Sequence, residues 1–273
     1  MTLKFWKMNG AGNDFVVLDN RDGSRGLDGA QIAQLCHRQR GVGADGLLAV
    51  EPAQNGADFR MRYYNADGGE AEMCGNGARC FARFANFLSD NRLERVSFET
   101  IAGTIGADFI GDQVRIALSA PHGLALELPL EVDGEALTVH SLNTGVPHAV
   151  FFVDDLEGTD VRRLGRATRF HAQFAPAGTN VNFVKIEAPG EIAIRTYERG
   201  VEDETLACGT GMAACALIHH LLHGAGSPIR VRVRGGDVLE VAFETGPGEN
   251  AGDFQRVTLT GPADFTFHGE VEI

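Results

Sequence analysis

The chain has 273 residues, 44% of them hydrophobic and 22% charged, which allows one large or two ordinary globular domains with a sizeable core. Its formal net charge of −13 argues against a nucleic-acid or anionic-membrane partner, because both favour basic surfaces. No apolar run approaches the length of a membrane span, and polar residues near the N-terminus argue against a secretory signal.

The N-terminal half alternates short strands with helices. Apolar runs predict strands at residues 16–18, 46–50 and 59–63. A helical pattern over residues 32–40 is closed by a glycine turn. A second helix follows Cys74, where apolar side chains recur at i, i+3, i+4 and i+7: Phe81, Phe84, Ala85 and Leu88. Because its polar stripe is narrow, we expect this helix to be buried.

The C-terminal half repeats this pattern. A helix over residues 212–222 is apolar nearly all round as far as His219, which again predicts burial. A last strand over residues 264–271 is compatible with either half. We place the boundary near Ala120, which predicts domains of residues 1–119, joined by strand 264–273, and 120–263.

The two halves also share a series of motifs. Residues 73–80 read MCGNGARC and residues 207–215 read ACGTGMAAC, so two Cys-Gly-x-Gly turns lie 134 positions apart. Upstream, VVLD at residues 16–19 answers FFVD at 151–154. Further matches, at offsets of 133 or 134, are Arg62 with Arg195, Tyr64 with Tyr197, Asn65 with Glu198 and Glu70 with Glu204. Several matches in the same order indicate two similar halves.

A cysteine at the start of a buried helix has distinctive chemistry. The unpaired N–H groups and the positive end of the helix dipole favour a thiolate and also form an anion site for a carboxylate. Buried cysteine more often simply packs, and we assign that role to Cys36, Cys80 and Cys215. Two cysteines in matched turns favour function instead, so Cys74 and Cys208 are the candidates. The odd total of five indicates reduced thiols in the cytoplasm.

Metal and nucleotide sites fit the sequence poorly. Cys74 and Cys80 are six residues apart, and Cys208 and Cys215 seven, whereas zinc sites usually use Cys-x2–4-Cys spacing. The GVGADG run at residues 41–46 follows a helix and precedes a strand, the reverse of a dinucleotide-binding turn. We therefore expect neither a metal nor a cofactor.

The chain resembles the diaminopimelate epimerase family over nearly its whole length. The motifs that carry the resemblance occur in family order: MNGAGNDFVVLDN, GVGADGLL, YYNADGGEAEMCGNGARC, TGVPHAV, GTNVNFV, YERG and ETLACGTG. The resemblance implies an α+β fold of two pseudo-symmetric domains, each a mixed β-sheet or barrel wrapped around a central helix. It also implies a cytoplasmic homodimer that interconverts LL- and meso-diaminopimelate without pyridoxal phosphate, on the route to lysine and peptidoglycan.

The resemblance also assigns roles to individual residues. Cys74 and Cys208 match the two catalytic bases, and His148 and Glu198 match the groups that support them. The backbone N–H groups that hold the reacting carboxylate match Gly75, Asn76, Gly209 and Thr210. The side chains that bind the substrate match Asn13, Asn65, Asn180, Glu198 and Arg199. The implied partner is thus a small diamino diacid.

Three positions depart from the family pattern. Val146 stands where many members have an Asn that helps to hold the distal end of the substrate, and Asn9 stands where His is frequent. Gly46 stands where some members have a Gln on the substrate. Asn143 and Thr144 are possible replacements for the distal contact.

Two other functions are compatible with the sequence. One is an amino-acid racemase on the same scaffold, for proline, hydroxyproline or histidine. The other is a redox sensor in which Cys74 and Cys208 form a reversible disulfide. Such a sensor would tolerate loss of Glu198 and Arg199, whereas an epimerase would lose turnover.

Overall fold

A computed structural model describes residues 2–71, 73–246 and 252–273. The chain divides into two compact units, Met1–Ile116 with Thr260–Ile273, and Ala117–Leu259. The helices of the first unit are α1 (Gly29–Cys36) and α2 (Gly75–Leu88). Its strands are β1 (Thr2–Gly10), β2 (Asn13–Asp19), β3 (Gly46–Pro52), β4 (Phe59–Asn65), β5 (Arg95–Thr100), β6 (Gly103–Ile110), β7 (Gln113–Ala117) and β17 (Asp264–Glu272).

The second unit contains the helices α3 (Val161–Arg169) and α4 (Gly209–His223) and a short 3-10 turn at Ala172–Phe174. Its strands are β8 (His122–Val132), β9 (Glu135–Asn143), β10 (Pro147–Phe152), β11 (Asn180–Ala188), β12 (Glu191–Glu198), β13 (Asp203–Thr205), β14 (Ile229–Arg232) and β15 (Val238–Thr245). Along β16 (Phe254–Pro262) the chain passes from the second unit back into the first.

Each unit is a mixed sheet with the same order of strands. In the first unit the neighbours run β17–β1–β2–β3–β4–β5–β6–β7, with parallel pairs at β2–β3 and β4–β5. In the second they run β8–β9–β10–β11–β12–β14–β15, with parallel pairs at β10–β11 and β12–β14. Each parallel pair is joined by a crossover that contains a helix, as parallel strands require.

The central helix of each unit is buried by its own sheet. Helix α2 packs against β1 to β6, and α4 packs against the corresponding strands β9, β10, β11, β12, β14 and β15. Most of both helices is buried, including the fully buried Phe81, Phe84, Leu217 and Ile218. The predicted fold of two pseudo-symmetric mixed-sheet domains around central helices is therefore confirmed. The C-terminal strand β17 pairs with β1 in the first unit, in the place that β8 holds beside β9.

The first helix begins and ends earlier than predicted. Its observed span is Gly29–Cys36, not residues 32–40. Asp28 accepts a hydrogen bond from the backbone of Gln31, and the Gln31 side chain accepts one from the backbone of Asp28, which completes a capping box. At the other end His37 has an extended backbone and stops the helix. The apolar periodicity correctly identified the buried face of the helix, but it did not identify the capping residues that set its ends.

The matched Arg and Glu residues of the repeat form ion pairs. In the second unit Arg195 on β12 forms a two-pronged pair with Glu204 on β13, at 2.7 Å from Nε and 2.8 Å from Nη2. In the first unit Arg62 on β4 binds Glu70 in the same way, with 2.9 Å between Nη2 and Oε2. Both pairs hold the segment that leads to a Cys-Gly-x-Gly turn against the strand before it.

Candidate active site

Cys74 and Cys208 hold the same position in the two units, immediately before the first residue of the central helix. Cys74 is the N-cap of α2, with φ −135° and ψ 123°, and Cys208 is the N-cap of α4, with φ −129° and ψ 109°. The Sγ atom of Cys74 accepts a hydrogen bond from the backbone N–H of Gly77 at 3.5 Å. The sulfur of Cys74 therefore accepts a hydrogen bond from an N–H group of the first helical turn, and both cysteines stand at the positive end of a helix dipole, which favours negative charge.

The residues after each cysteine form the first helical turn. Gly75, Asn76 and Gly209 are buried, and Thr210 is partly buried. In this turn the backbone N–H groups lie beyond the reach of intrahelical carbonyls, so a helix start can bind a carboxylate without a cationic side chain. The family resemblance implies that use for these four residues.

The surroundings of Cys208 include a chain of polar side chains. Its Sγ lies 3.7 Å from the hydroxyl oxygen of Thr210, and that oxygen lies 2.9 Å from Nε2 of His148 on β10. On the other side of the ring, Nδ1 of His148 lies 3.1 Å from Nδ2 of Asn182 on β11. His148 and Asn182 are both almost fully buried. Burial, with a smaller contribution from the positive charge of Arg199, lowers the pKa of His148 to about 3, so its imidazole is neutral.

The surroundings of Cys74 follow the same plan with different side chains. Nδ2 of Asn76 donates to Oδ1 of Asn13 on β2 at 2.6 Å, and Nδ2 of Asn13 donates to Asp45 at 2.9 Å. When the two repeats are aligned on the segments VVLD and FFVD, Asn13 is equivalent to His148. When they are aligned on the two cysteines, Asn76 is equivalent to Thr210. In both units, the side chain two positions after the cysteine thus contacts the matched residue at the start of a strand.

A buried arginine supports the start of α2. Arg79 is fully buried, and its guanidinium donates to the carbonyl oxygens of Gly10 at 3.2 Å and Gly75 at 3.4 Å. It also donates to Oδ1 of Asn76 at 2.9 Å, which fixes the amide that reaches Asn13. Arg79 thus supports the turn after Cys74 from inside the first unit.

The other predicted binding residues lie at strand ends. Asn65 and Glu198 are the last residues of β4 and β12, which hold matched places in the two sheets. Asn180 begins β11, and its Oδ1 accepts a hydrogen bond from the backbone N–H of Arg199 at 2.7 Å. The Arg199 guanidinium donates to the carbonyl oxygen of Ala177 at 3.1 Å. The structure thus brings Asn180 and Arg199 together within the second unit.

Asn9 and Gly46, two of the positions that depart from the family pattern, have local structural roles, as do the suggested replacements Asn143 and Thr144. Oδ1 of Asn9 accepts from the N–H of Gly12 at 3.0 Å and closes the turn between β1 and β2. A Cβ at Gly46 would lie 2.5 Å from the carbonyl oxygen of Tyr64, so this site has no room for a side chain. The hydroxyl of Thr144 donates to the carbonyl oxygen of Thr210 at 2.8 Å, and Oδ1 of Asn143 accepts from Gly145 N–H at 2.9 Å.

The remaining three cysteines are buried in the two units, as predicted for packing residues. Burial raises the pKa of Cys36 to about 11 and that of Cys80 to about 12, and it also raises the pKa of Cys215. These thiols are therefore protonated at neutral pH and are poor nucleophiles and bases. Sequence reasoning missed Asn182 and Arg79, although Asn182 lies in the GTNVNFV motif; only the pairing of β10 with β11 places it beside His148.

The sequence matches a known family along most of its length. The profile of the family described as diaminopimelate epimerase matches residues 5–117 and 140–257. A diaminopimelate epimerase of Aquifex aeolicus (strain VF5) is 43% identical, with 98% of each chain covered. One from Archaeoglobus fulgidus is 42% identical, with 94% of this chain and 95% of that protein covered.

Solved structures share the fold at low sequence identity. A Bacillus anthracis phenazine biosynthesis protein of the PhzF family has a TM-score of 0.73 and 14% identity, with 100% of both chains covered. A hydroxyproline epimerase from Agrobacterium vitis has a TM-score of 0.71 and 18% identity, over 99% of this chain and 91% of that one. Among the residues that the structure describes, no helix is both long and apolar enough to cross a membrane.

Proposed function

We infer, from the premise that this chain belongs to the diaminopimelate epimerase family, that its reaction is the interconversion of LL- and meso-diaminopimelate. The chain is thus an isomerase that acts on a small amino acid. The rival interpretation as a proline, hydroxyproline or histidine racemase is not favoured. Relatives about 40% identical over the full chain carry the diaminopimelate name, whereas the hydroxyproline enzyme is 18% identical and shares only the fold.

Cys74 and Cys208 are the acid and base of this proposal. Inversion of a stereocentre by proton exchange requires a base on one face of the α-carbon and an acid on the other. One sulfur, as thiolate, takes the α-proton, and the other, as thiol, returns a proton to the opposite face; the roles exchange with the direction of reaction. The observation that carries the proposal is that both cysteines are N-caps of the two central helices.

The helix starts supply the second requirement of the chemistry. Loss of the α-proton places negative charge on the carbon and on its carboxylate, and no cofactor is invoked to take up that charge. Backbone N–H groups of Gly75, Asn76, Gly209 and Thr210 are proposed to hold the carboxylate and to stabilise the charge as it grows. These groups belong to rigid helical turns, so they require little reorganisation during the reaction.

The supporting and binding residues complete the proposal. His148 and Glu198 support the two cysteines, and neutral His148 does so through Thr210, with which it shares a hydrogen-bond contact. Arg199 binds the distal carboxylate, for which a guanidinium is suited because it presents parallel N–H donors. The remaining side chains that bind the substrate are Asn13, Asn65 and Asn180.

We also propose the cellular context that the family name implies. The reaction serves lysine and peptidoglycan precursor synthesis in the cytoplasm, and the enzyme works as a homodimer. A redox-sensing dithiol remains a separate hypothesis, and the loss of turnover on substitution of Glu198 or Arg199 would distinguish catalysis from it.

Proton NMR in deuterated water tests the reaction. The protein and LL-diaminopimelate, without added pyridoxal phosphate or metal, are expected to show loss of the α-proton signal together with appearance of the meso isomer. Cys74→Ser and Cys208→Ser should each lower the rate by orders of magnitude, because each removes one partner of the proton exchange.

Cys36→Ser makes the same chemical change at a cysteine that packs on α1 and serves as the control. Circular dichroism establishes that each variant is folded. Near-wild-type rates in both Cys74→Ser and Cys208→Ser would refute the two-thiol mechanism, and absence of exchange by wild-type protein would refute the substrate.

A further inference from the structure

We propose that Asn182 is a positioning residue that selects the protonated ring nitrogen of His148 and thereby directs the hydroxyl of Thr210 at the sulfur of Cys208. The inference rests on the proposed role of Cys208. It adds a residue that neither the motifs nor the family comparison assigned, and it gives a physical reason for a neutral histidine beside a thiol base.

The orientation of the Asn182 amide is set by the carbonyl oxygen of Ala149, and the hydroxyl of Thr196 completes its hydrogen bonding. Its Nδ2 lies 3.0 Å from the carbonyl oxygen of Ala149, which can only accept a hydrogen bond. Its Oδ1 lies 2.9 Å from the hydroxyl of Thr196, which donates to it. Both Asn182 and Thr196 are buried. The amide nitrogen therefore faces His148, and the oxygen faces away.

The amide orientation decides the tautomer of His148. The amide nitrogen 3.1 Å from Nδ1 is a donor, so Nδ1 must accept and cannot carry a proton. Because burial keeps the ring neutral, the single proton is on Nε2. Nε2–H then donates to the Thr210 oxygen at 2.9 Å.

The hydroxyl hydrogen of Thr210 is the last donor in the chain of hydrogen bonds that runs from Asn182 through His148. Since its oxygen already accepts from His148, the hydroxyl proton is available for a different acceptor, and Cys208 Sγ lies 3.7 Å away. A hydroxyl donor directed at a thiolate is a charge-assisted hydrogen bond and stabilises the ionised form. With the opposite tautomer, Nε2 would itself accept the Thr210 proton and withdraw it from the sulfur.

The second glycine of the second Cys-Gly-x-Gly turn, Gly211, leaves room for the Asn182 side chain. A Cβ at Gly211 would lie 2.5 Å from Oδ1 of Asn182 and 3.3 Å from Sγ of Cys208. At Gly77, the matched position in the first unit, a Cβ would make ordinary contacts of 3.4–3.5 Å. The glycine of the second turn therefore makes room for Asn182 as well as for the helix start.

The first unit lacks a hydroxyl at the matched position. Asn76 stands where the second unit has Thr210, and its amide donates to Asn13. We therefore expect the Thr210 hydroxyl to act on Cys208 alone, so that the two thiols differ although their helix positions match.

Nitrogen-15 NMR of histidine-labelled protein tests the tautomer directly, with His148 assigned by loss of its signals in His148→Gln. We expect the neutral Nε2–H form in the wild type. Asn182→Asp replaces the amide donor by an acceptor, so we expect the Nδ1–H form there. A wild-type Nδ1–H form, or an unchanged Nε2–H form in folded Asn182→Asp, would overturn the proposal.

Alkylation by iodoacetamide at neutral pH tests the effect on the sulfur, with Cys208 followed by peptide mass spectrometry. Thr210→Val removes the hydroxyl without adding charge, and we expect about tenfold slower alkylation, which corresponds to about 1.4 kcal/mol. Thr210→Ser keeps the hydroxyl and should restore the rate to within about twofold. Asn182→Asp should slow alkylation like Thr210→Val.

Asn86→Asp is the matched control for the asparagine change. Asn86 is a buried residue of α2 whose Oδ1 accepts from Leu93 N–H at 3.0 Å, a role that a carboxylate can keep. Equal Cys208 alkylation in wild type, Thr210→Val and Asn182→Asp would refute the proposal. These two readouts need no substrate, so a wild-type protein that failed to epimerise diaminopimelate would refute the proposed function and leave the tautomer result standing.

Discussion

Burial keeps His148 neutral in the folded protein, and this makes the free energy of unfolding depend on pH. In the unfolded chain this histidine takes up a proton near its ordinary pKa of 6.5, whereas in the folded protein burial lowers that pKa to about 3. Between these values the unfolded state binds more protons, so the free energy of unfolding rises with pH across the window. Above pH 6.5 this contribution is constant.

We expect His148→Gln to reduce the slope of unfolding free energy against pH, by up to about 1.4 kcal/mol per pH unit in the window. Urea unfolding at a series of pH values between about 4 and 6 measures the slope. His122→Gln, at an exposed histidine of the same unit, is the control. Burial also lowers the pKa of His140 and His219, so only the difference between variants isolates His148. Equal slopes in wild type and His148→Gln would contradict the prediction.

At the scale of single residues, the sequence predicted the two motif cysteines but not the side chains that support their surroundings. Cys74 and Cys208 stand out because each begins a Cys-Gly-x-Gly turn that leads into a buried apolar helix. Asn182 and Arg79 act through contacts with residues far away along the chain, and these contacts depend on strand register and on the packing of α2. A single sequence carries no local signal for either arrangement.

At the scale of elements, the two-pronged ion pairs Arg195–Glu204 and Arg62–Glu70 connect neighbouring segments of the chain. Arg195 also donates to the carbonyl oxygens of Leu156 at 2.8 Å and Thr159 at 3.1 Å, so it ties β12 to the loop before α3 as well as to β13. The side chains of Arg195 and Glu204 are 10% and 15% exposed, against 26% and 31% for Arg62 and Glu70. The same pair is thus better shielded from water in the second unit.

We therefore expect Glu204→Gln to destabilise the protein more than Glu70→Gln does. Loss of one partner from a buried pair leaves the other charge without compensation and costs about 3–5 kcal/mol, whereas a more exposed pair contributes about 1 kcal/mol or less. Urea unfolding of the two variants, which carry the same chemical change at matched positions, measures the difference. Equal losses would show that burial does not govern these pairs.

The elements also show where periodicity has limits. The central helices were predicted because a wide apolar face recurs along them, and the structure confirms both. For α1 the same method gave a helix several residues too far along the chain, since Asp28 and Gln31 define its start by capping and carry no apolar signal. The matched Arg and Glu positions were visible as a repeat, yet only the structure shows that they bind each other.

For the whole molecule, the internal repeat predicted the architecture more completely than any single element did. Two halves with the same order of motifs require two similar sheets, and the observed strand pairings match one for one from β17 to β6 and from β8 to β15. The last strand was predicted to join the first half, although the pattern of residues 264–271 alone suits a sheet in either half. Its pairing with β1 supplies the strand that the first half would otherwise lack.

An aromatic surface on the first unit motivates the proposal of a homodimer. It consists of Trp6, Phe87, Phe265 and Phe267, which with neighbouring residues line a cavity of about 370 Å³. The three phenylalanines are 40–49% exposed, and the rings of Phe87 and Phe265 pack at a tilt of 58° with 5.3 Å between their centroids. Contiguous exposed aromatic surface is typical of sites where proteins associate.

Sedimentation velocity tests this assembly. We expect the wild type to sediment as a species of twice the 29.2 kDa chain mass. The double variant that carries both Phe265→Asp and Phe267→Asp should sediment as a monomer. The added carboxylates would be desolvated at the interface, and they would repel a partner that already carries a net charge of −13. Phe170→Asp changes a phenylalanine that is 58% exposed in the second unit, and it should leave the dimer intact. A wild-type monomer would refute the dimer, and a dimer that survived both substitutions would have to form through a different surface.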